Sequence, residues 1–496
     1  MNRLPAWIVA IGLTCVISSG ARPASAQDTP DLETAQQAWE KCKAALEAKG
    51  EHLNLSYFIP APVPDDKNFA LTPLMKPLLD GKYDEKSGFI PDNPNPPINS
   101  VSALVKGSKV PRPTAKSWMT GDTRPLDLWQ AYYREALPDL KLAKSPAEDV
   151  LAALARFDVQ VDELRASIAT HPVCRYPLGW DKGVAMALPH LTTLQSLVTF
   201  LGLRASSELE LNQPDKALSD LQLAFRLIDT IRGESTLIDG LVRITAIAIL
   251  LQPIHDGIAA HRWNEQQLAM LEKEMQAMDF LADYEQCMRT ERGCMNWLCE
   301  KIIADPAWLG TSLDEIGMGD QMKHLSGPAF KASMYENQIL INTMIQNKFL
   351  VIMDTRGGNI NVARAKEAKA AVTALDAKPT TVLAKTVMVV HGSVPIKFAR
   401  MQVYLNEAIT ACEIERYRLA HGKLPTTLDE IRVANLPHDI INGQPLHYKP
   451  LGDDNYLLYS VGWNETDDGG KIAMKPGNGP VDYEQGDWVW TLKPMQ

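Results

Sequence analysis

Across 496 residues the familiar signatures of chemistry are missing. There is no GxSxG elbow, no HExxH pair, no Walker phosphate loop and no GxGxxG dinucleotide fingerprint. The common hydrolase, zinc-peptidase, nucleotide and dehydrogenase motifs are thereby excluded. None of the seven cysteines stands in a CxxC or CxxCH arrangement, which excludes zinc ribbons and covalent haem. Positive charge is in deficit, 50 Lys and Arg against 60 Asp and Glu, for a net charge of −10. Such a balance argues against nucleic acid or an anionic membrane as the main partner. The ten histidines are dispersed.

What the chain does carry begins at its N-terminus. Arg3, an apolar run from Ala6 to about Ile17, and Ala24-Ser25-Ala26 before Gln27 form the pattern of a cleavable secretory signal over 1–26. The run is too short for a stable bilayer anchor, so an exported chain, periplasmic or extracellular and without a transmembrane anchor, is expected. Losing Arg3 and Arg22 takes the charge from −10 to −12. Six cysteines remain, Cys42, Cys174, Cys287, Cys294, Cys299 and Cys412, an even number that permits disulfides outside the cytoplasm. With 45% hydrophobic residues the chain can build a sizeable core, and its length calls for more than one domain.

The fold class expected is α+β and mainly α, a large helical domain followed by a small C-terminal domain of a helix and an antiparallel sheet. Residues 27–144 comprise one amphipathic helix, "AQQAWEKCKAALEAKG", and a proline-rich stretch. Phe58, Phe69, Leu74 and Trp118 mark that stretch as ordered but irregular rather than a linker. The helical domain is placed at 145–395. Ser145 and Glu148 form a capping box for a helix over 145–169. Residues 201–231 read as a helical hairpin turning at Asn212-Gln213-Pro214-Asp215, similar to a single tetratricopeptide-type unit. "LIDGLVRITAIAILLQPI" at 237–254 contains Asp239 and Arg243 and reads as a buried core helix.

Residues 396–496 change style. A helix from Phe398 to Ala420 stops at Gly422, Pro425 blocks its continuation, and Thr427 with Glu430 is expected to cap a short turn. Leu446–Lys449, Tyr456–Val461 and the 486–492 segment have strand character. Read in order, Arg416-Tyr417, Gly422-Lys423-Leu424-Pro425, Asn442 to Tyr448, Tyr459-Ser460-Val461-Gly462, Asp468-Gly469-Gly470 and Asp487-Trp488 resemble the C-terminal domain of the type II secretion major pseudopilin. The likeness covers about a fifth of the chain. It implies a loop wrapped around calcium, with Asn464, Asp467, Asp468 and Asp487 as its side-chain ligands here. Asn464 stands where that family has its first acidic ligand. The residue chemistry alone leaves two readings of "NETDDGG": a structural calcium site, since hard oxygens and flexible glycines suit that ion, or a solvated turn that needs none. The remainder of the chain, including "PDDKNFALTPL" and "CRYPLGW", is similar to exported bacterial proteins of unassigned role that share this tail.

Outside the tail the densest group of reactive side chains lies in "HPVCRYPLGWDKGVAMALPH", 171–190. Cys174, Asp181 and His190 would serve an enzyme if they met in a cavity. The expectation favoured is a non-enzymatic exported scaffold with a protein partner. The alternatives are an exported enzyme using those three residues, or an accessory part of a type II secretion-like system.

Overall fold

Asp31 opens the ordered chain by capping its first helix, accepting the Thr34 amide at 3.0 Å. The computed structural model describes residues 31–84, 88–105, 112–113, 117–306, 327–376, 378–433, 436–452, 454–477 and 479–494. The expected leader at 1–26 lies outside them. Helices account for 61% and strands for 9%, so the fold is α+β and mainly α. The helices are α1 (Leu32–Glu47), α2 (Ser100–Val105), α3 (Leu126–Ala136), α4 (Pro146–Leu154), α5 (Asp158–Thr170), α6 (Pro189–Glu210) and α7 (Pro214–Asp229). There follow α8 (Leu237–Ala259), α9 (Glu265–Gln276), α10 (Phe280–Ala304), α11 (Pro328–Met344), α12 (Val362–Thr373), α13 (Val382–Met388) and α14 (Val394–His421).

The described part of the proline-rich stretch is irregular and packed, as its aromatics imply. It runs as short 3-10 turns and one hairpin, β1 (Gly81–Asp84) with β2 (Gly88–Pro91), and buries Phe58, Phe69, Leu74 and Trp118. The 145–169 helix is in fact two helices, α4 and α5, because a 3-10 turn at Ala155–Phe157 tightens the backbone between them. Its capping box is present, with Ser145 and Glu148 each holding the other's amide. The 201–231 hairpin is α6 packed against α7, turning through Asn212 at φ 57°.

No disulfide links the six cysteines; all are free thiols, and Cys287, Cys294, Cys299 and Cys412 are buried. They sit on inward faces of α10 and α14, where a thiol acts as a small hydrophobe. Two helical stretches, Leu237–Ala259 and Val382–His421, are long and apolar enough to cross a membrane by length and composition. In this fold 67% and 61% of their apolar windows are enclosed by protein. Arg243, in the first of them, is neutralised by Asp283 of α10.

α14 runs beside α8, α9 and α10, and Gly422 ends it in the left-handed region at φ 72°, as expected from the sequence. The capping box assigned to Thr427 and Glu430 is absent. Thr427 makes no capping bond, because Glu430 accepts instead from the Tyr417 hydroxyl at 2.8 Å and the Thr426 amide at 3.2 Å. β3 (Met353–Asp354) and β4 (Asn359–Ile360) pair as a short antiparallel ladder ahead of α12. The tail sheet is antiparallel in the order β5 (His447–Gly452), β6 (Asn455–Ser460), β9 (Trp488–Thr491), with β7 (Ile472–Met474) paired to β8 (Val481–Gly486) beside it. One apolar core extends from Leu55 to Leu492 without a break at 395/396. Trp118, Tyr404 and Trp490 meet there, the Trp118 and Tyr404 rings edge to face at 4.7 Å.

Candidate functional site

The site is built where α6 and α8 begin. Pro189 opens α6 with its φ already set for a first helical turn, and His190 follows, fully buried. Tyr176, from the 171–190 segment, stacks on the imidazole at 3.9 Å, and its hydroxyl lies 3.1 Å from Thr230 Oγ1 at the end of α7. Between α7 and α8 the backbone turns through Ser235 at φ 51°, a left-handed conformation rare for such a residue. This turn carries Glu234 inward. Thr236 then caps α8, and Asp239, three residues on, completes a capping box by accepting the Thr236 amide through Oδ2 at 3.1 Å. The second carboxylate oxygen, Oδ1, remains without a partner.

His190, Glu234 and Asp239 thus converge from three segments at 0%, 2% and 1% exposure. One ligand atom from each lies within 4.8 Å of one from each of the others, and among the described residues this is the only such group of His, Cys, Asp and Glu. His190 Nε2 lies 3.2 Å from Glu234 Oε2, yet the two are not aligned as donor and acceptor. Both ring nitrogens and both Glu234 oxygens lack hydrogen bonds. Burial drives every group toward its neutral form. It lowers the His190 pKa to about 4, against the pull of the Asp239 charge. It raises Glu234 to about 8, opposed by the nearby Tyr176 amide and Arg175. Asp239 rises to about 7 through burial and then the Glu234 charge. Five polar side-chain atoms without a hydrogen bond at one buried place are uncommon, since buried polar groups are nearly always satisfied.

The residues singled out from sequence divide. His190 is in the cluster. Cys174 lies close enough to feel the Glu234 charge, but burial first pushes its thiol up to about 12. Asp181 is not brought in: its side chain is 72% exposed and pairs with Lys182 at 2.9 Å. Glu234 and Asp239 escaped sequence reasoning as site residues. Asp239 had left a signal, a charge inside a strongly apolar helix.

In the tail, Asn464, Asp467, Asp468 and Asp487 are occupied by protein donors. Asp487, buried, accepts the amides of Asp468, Gly470 and Lys471 at 3.2, 2.6 and 3.3 Å. Asn464 donates its side-chain amide to Asp468 at 2.8 Å. Asp467 takes the Gly469 amide at 2.9 Å and the Tyr459 hydroxyl at 3.1 Å. N–H groups, rather than carbonyls, point at the central carboxylate. Beside this loop Asp439, also buried, holds Ser460 Oγ and the amides of Val461 and Ile441. No family model, curated protein or solved structure matches this chain.

Proposed function

We propose that the chain is an exported, non-enzymatic scaffold that meets a protein partner. The observation that carries this reading is the withdrawal of its reactive side chains. The Cys174 thiol is held protonated, His190 is sealed under Tyr176, and Asp181 faces away into solvent. A nucleophile and its base need hydrogen-bond contact and access to substrate; here His190 is enclosed and Asp181 points away to Lys182. The 462–470 loop fits the same role as a self-closed turn around Asp487, without calcium.

Polymerisation through a long helix would require that helix to be free of its own chain. Here α14 is flanked by α8, α9 and α10, which supports a scaffold instead. A groove of about 620 Å³ lies where α14 ends, lined by residues that include Glu413, Tyr417, His421, Asp429, Glu430 and Arg432. Leu419 and Val433 are exposed nearby. Asp429 and Glu430 outnumber Arg432 in its lining, Glu413 being already paired with Arg416 at 2.7 Å, and they suit a basic segment of the partner.

A photo-cross-linking residue at Val433, compared in the native host with one at the exposed Val159, tests the proposal. A discrete adduct from position 433 alone is expected. The same pattern from both positions, or no adduct from either, overturns it.

A further inference from the structure

We propose that His190, Glu234 and Asp239 bind one divalent ion of borderline softness, zinc above the others, which clasps the starts of α6 and α8 and the turn before α8. The donors are one imidazole nitrogen and carboxylate oxygens, a mixture that suits zinc and its first-row neighbours. Calcium is disfavoured, because it takes six to eight oxygens and the cluster offers only three unpartnered ones.

The geometry fits. Metal–ligand bonds of about 2.05 Å at tetrahedral angles put neighbouring ligand atoms roughly 3.3 Å apart, and His190 Nε2 to Glu234 Oε2 is 3.2 Å. Asp239 is already fixed by its Oδ2 bond to Thr236, so its free Oδ1 is aimed by the helix cap. Such outer bonds are what orient ligands in metal centres. Charge fits as well: two carboxylates balance a dication, so a neutral unit is buried in place of separate charges. The surroundings are tight. A Cβ at Gly240, next to Asp239, would stand 2.8 Å from both Cys287 of α10 and Phe398 of α14.

Burial of all three ligands gives the ion a structural task, joining segments that no disulfide connects. Sequence spacing could not disclose it. The ligands stand at 190, 234 and 239, outside any short motif.

The test uses the full chain without an affinity tag, stripped with a chelator. Zinc, manganese and calcium are titrated separately, bound metal is counted by mass spectrometry, and thermal unfolding is recorded. One equivalent of zinc, bound tightly enough to survive dialysis and raising the melt by several degrees, is the expected result. H190A, E234Q and D239N should each weaken zinc at least a hundredfold. E234Q and D239N should fold at least as stably as the metal-free parent, since each replaces an unpartnered or half-partnered buried acid with a neutral amide. Unfolding of the stripped variants therefore separates loss of the site from loss of the fold. Three results would overturn the proposal: less than a tenth of an equivalent retained, zinc retained equally by the variants, or a melt raised by calcium instead of zinc.

Discussion

Glu407 is a buried acid sensitive to pH, although no solvent touches it. It sits inside α14 with neither oxygen hydrogen-bonded, and burial, then the charges of Asp439 and Asp487, push its pKa well above the usual carboxylate range. A carboxyl with a raised folded pKa favours the fold below its unfolded pKa of roughly 4.5 and loses that contribution as pH rises. E407Q should therefore gain on the parent as pH rises from 5 to 8. Urea midpoints at the two pH values measure it, and a difference independent of pH would contradict it. Cys174 gives a second prediction. With its thiol at about 12, iodoacetamide at pH 8 should modify it at least a hundredfold more slowly than free cysteine, read by mass spectrometry. At this scale the sequence disclosed only part of the site. His190 was legible as a reactive type near others, but its companions Glu234 and Asp239 are brought in by the packing of α6 on α8, which no local pattern encodes.

At the scale of elements, periodicity and end signals were the legible part. Ser145 and Gly422 mark their helix ends as the residues require. Thr427 misled because a tertiary partner, Tyr417, captured the glutamate that the cap needed. Two elements invite direct tests. Gly257 in α8 lies under Trp263, whose indole N–H donates to the Ile254 carbonyl at 3.2 Å; a Cβ at 257 would fall 2.0 Å from that nitrogen. G257A should cost about 3 kcal/mol or more in chemical denaturation, since neither the helix nor the ring has room to shift. In the tail loop, D487A strips three backbone amides of their acceptor and should cost about 2–4 kcal/mol. Adding calcium to the metal-stripped parent should leave its melt unchanged; a rise lost in D487A would restore the calcium reading of that loop.

For the whole molecule, the division at 395/396 read from composition does not coincide with a gap in packing. Phe398, Met401, Leu405, Ala408 and Cys412 are buried on α14, which borders α8, α9 and α10 as well as the tail sheet. Residues 396–496 expressed alone should show no cooperative melt and should bind a hydrophobic dye, whereas the full chain should melt in one transition. A sharp independent transition for the fragment would show that the tail is self-sufficient. The described part of the proline-rich stretch was readable as packed from its aromatics, but its docking site was not, because the neighbours of Trp118, Ala248, Tyr404 and Trp490, lie far along the chain.

That meeting governs the order in which the chain can close. Thr491 supplies the carbonyl for His255 Nε2 at 2.8 Å across 236 residues, and the Tyr483 hydroxyl reaches Met119 across 364. The Lys493 carbonyl comes so near Gly121 that a methyl group there would lie 2.4 Å from it. A chain emerging end-first from a ribosome or a translocation pore cannot finish its centre until β9 has cleared the exit. Long-range closure of this kind is slow, since the entropy of a large loop is lost before its contacts form. The nascent protein therefore stays open for most of its synthesis, with Trp118 and its neighbours waiting uncovered. In that interval its apolar side chains face water, which leaves the unfinished chain prone to association.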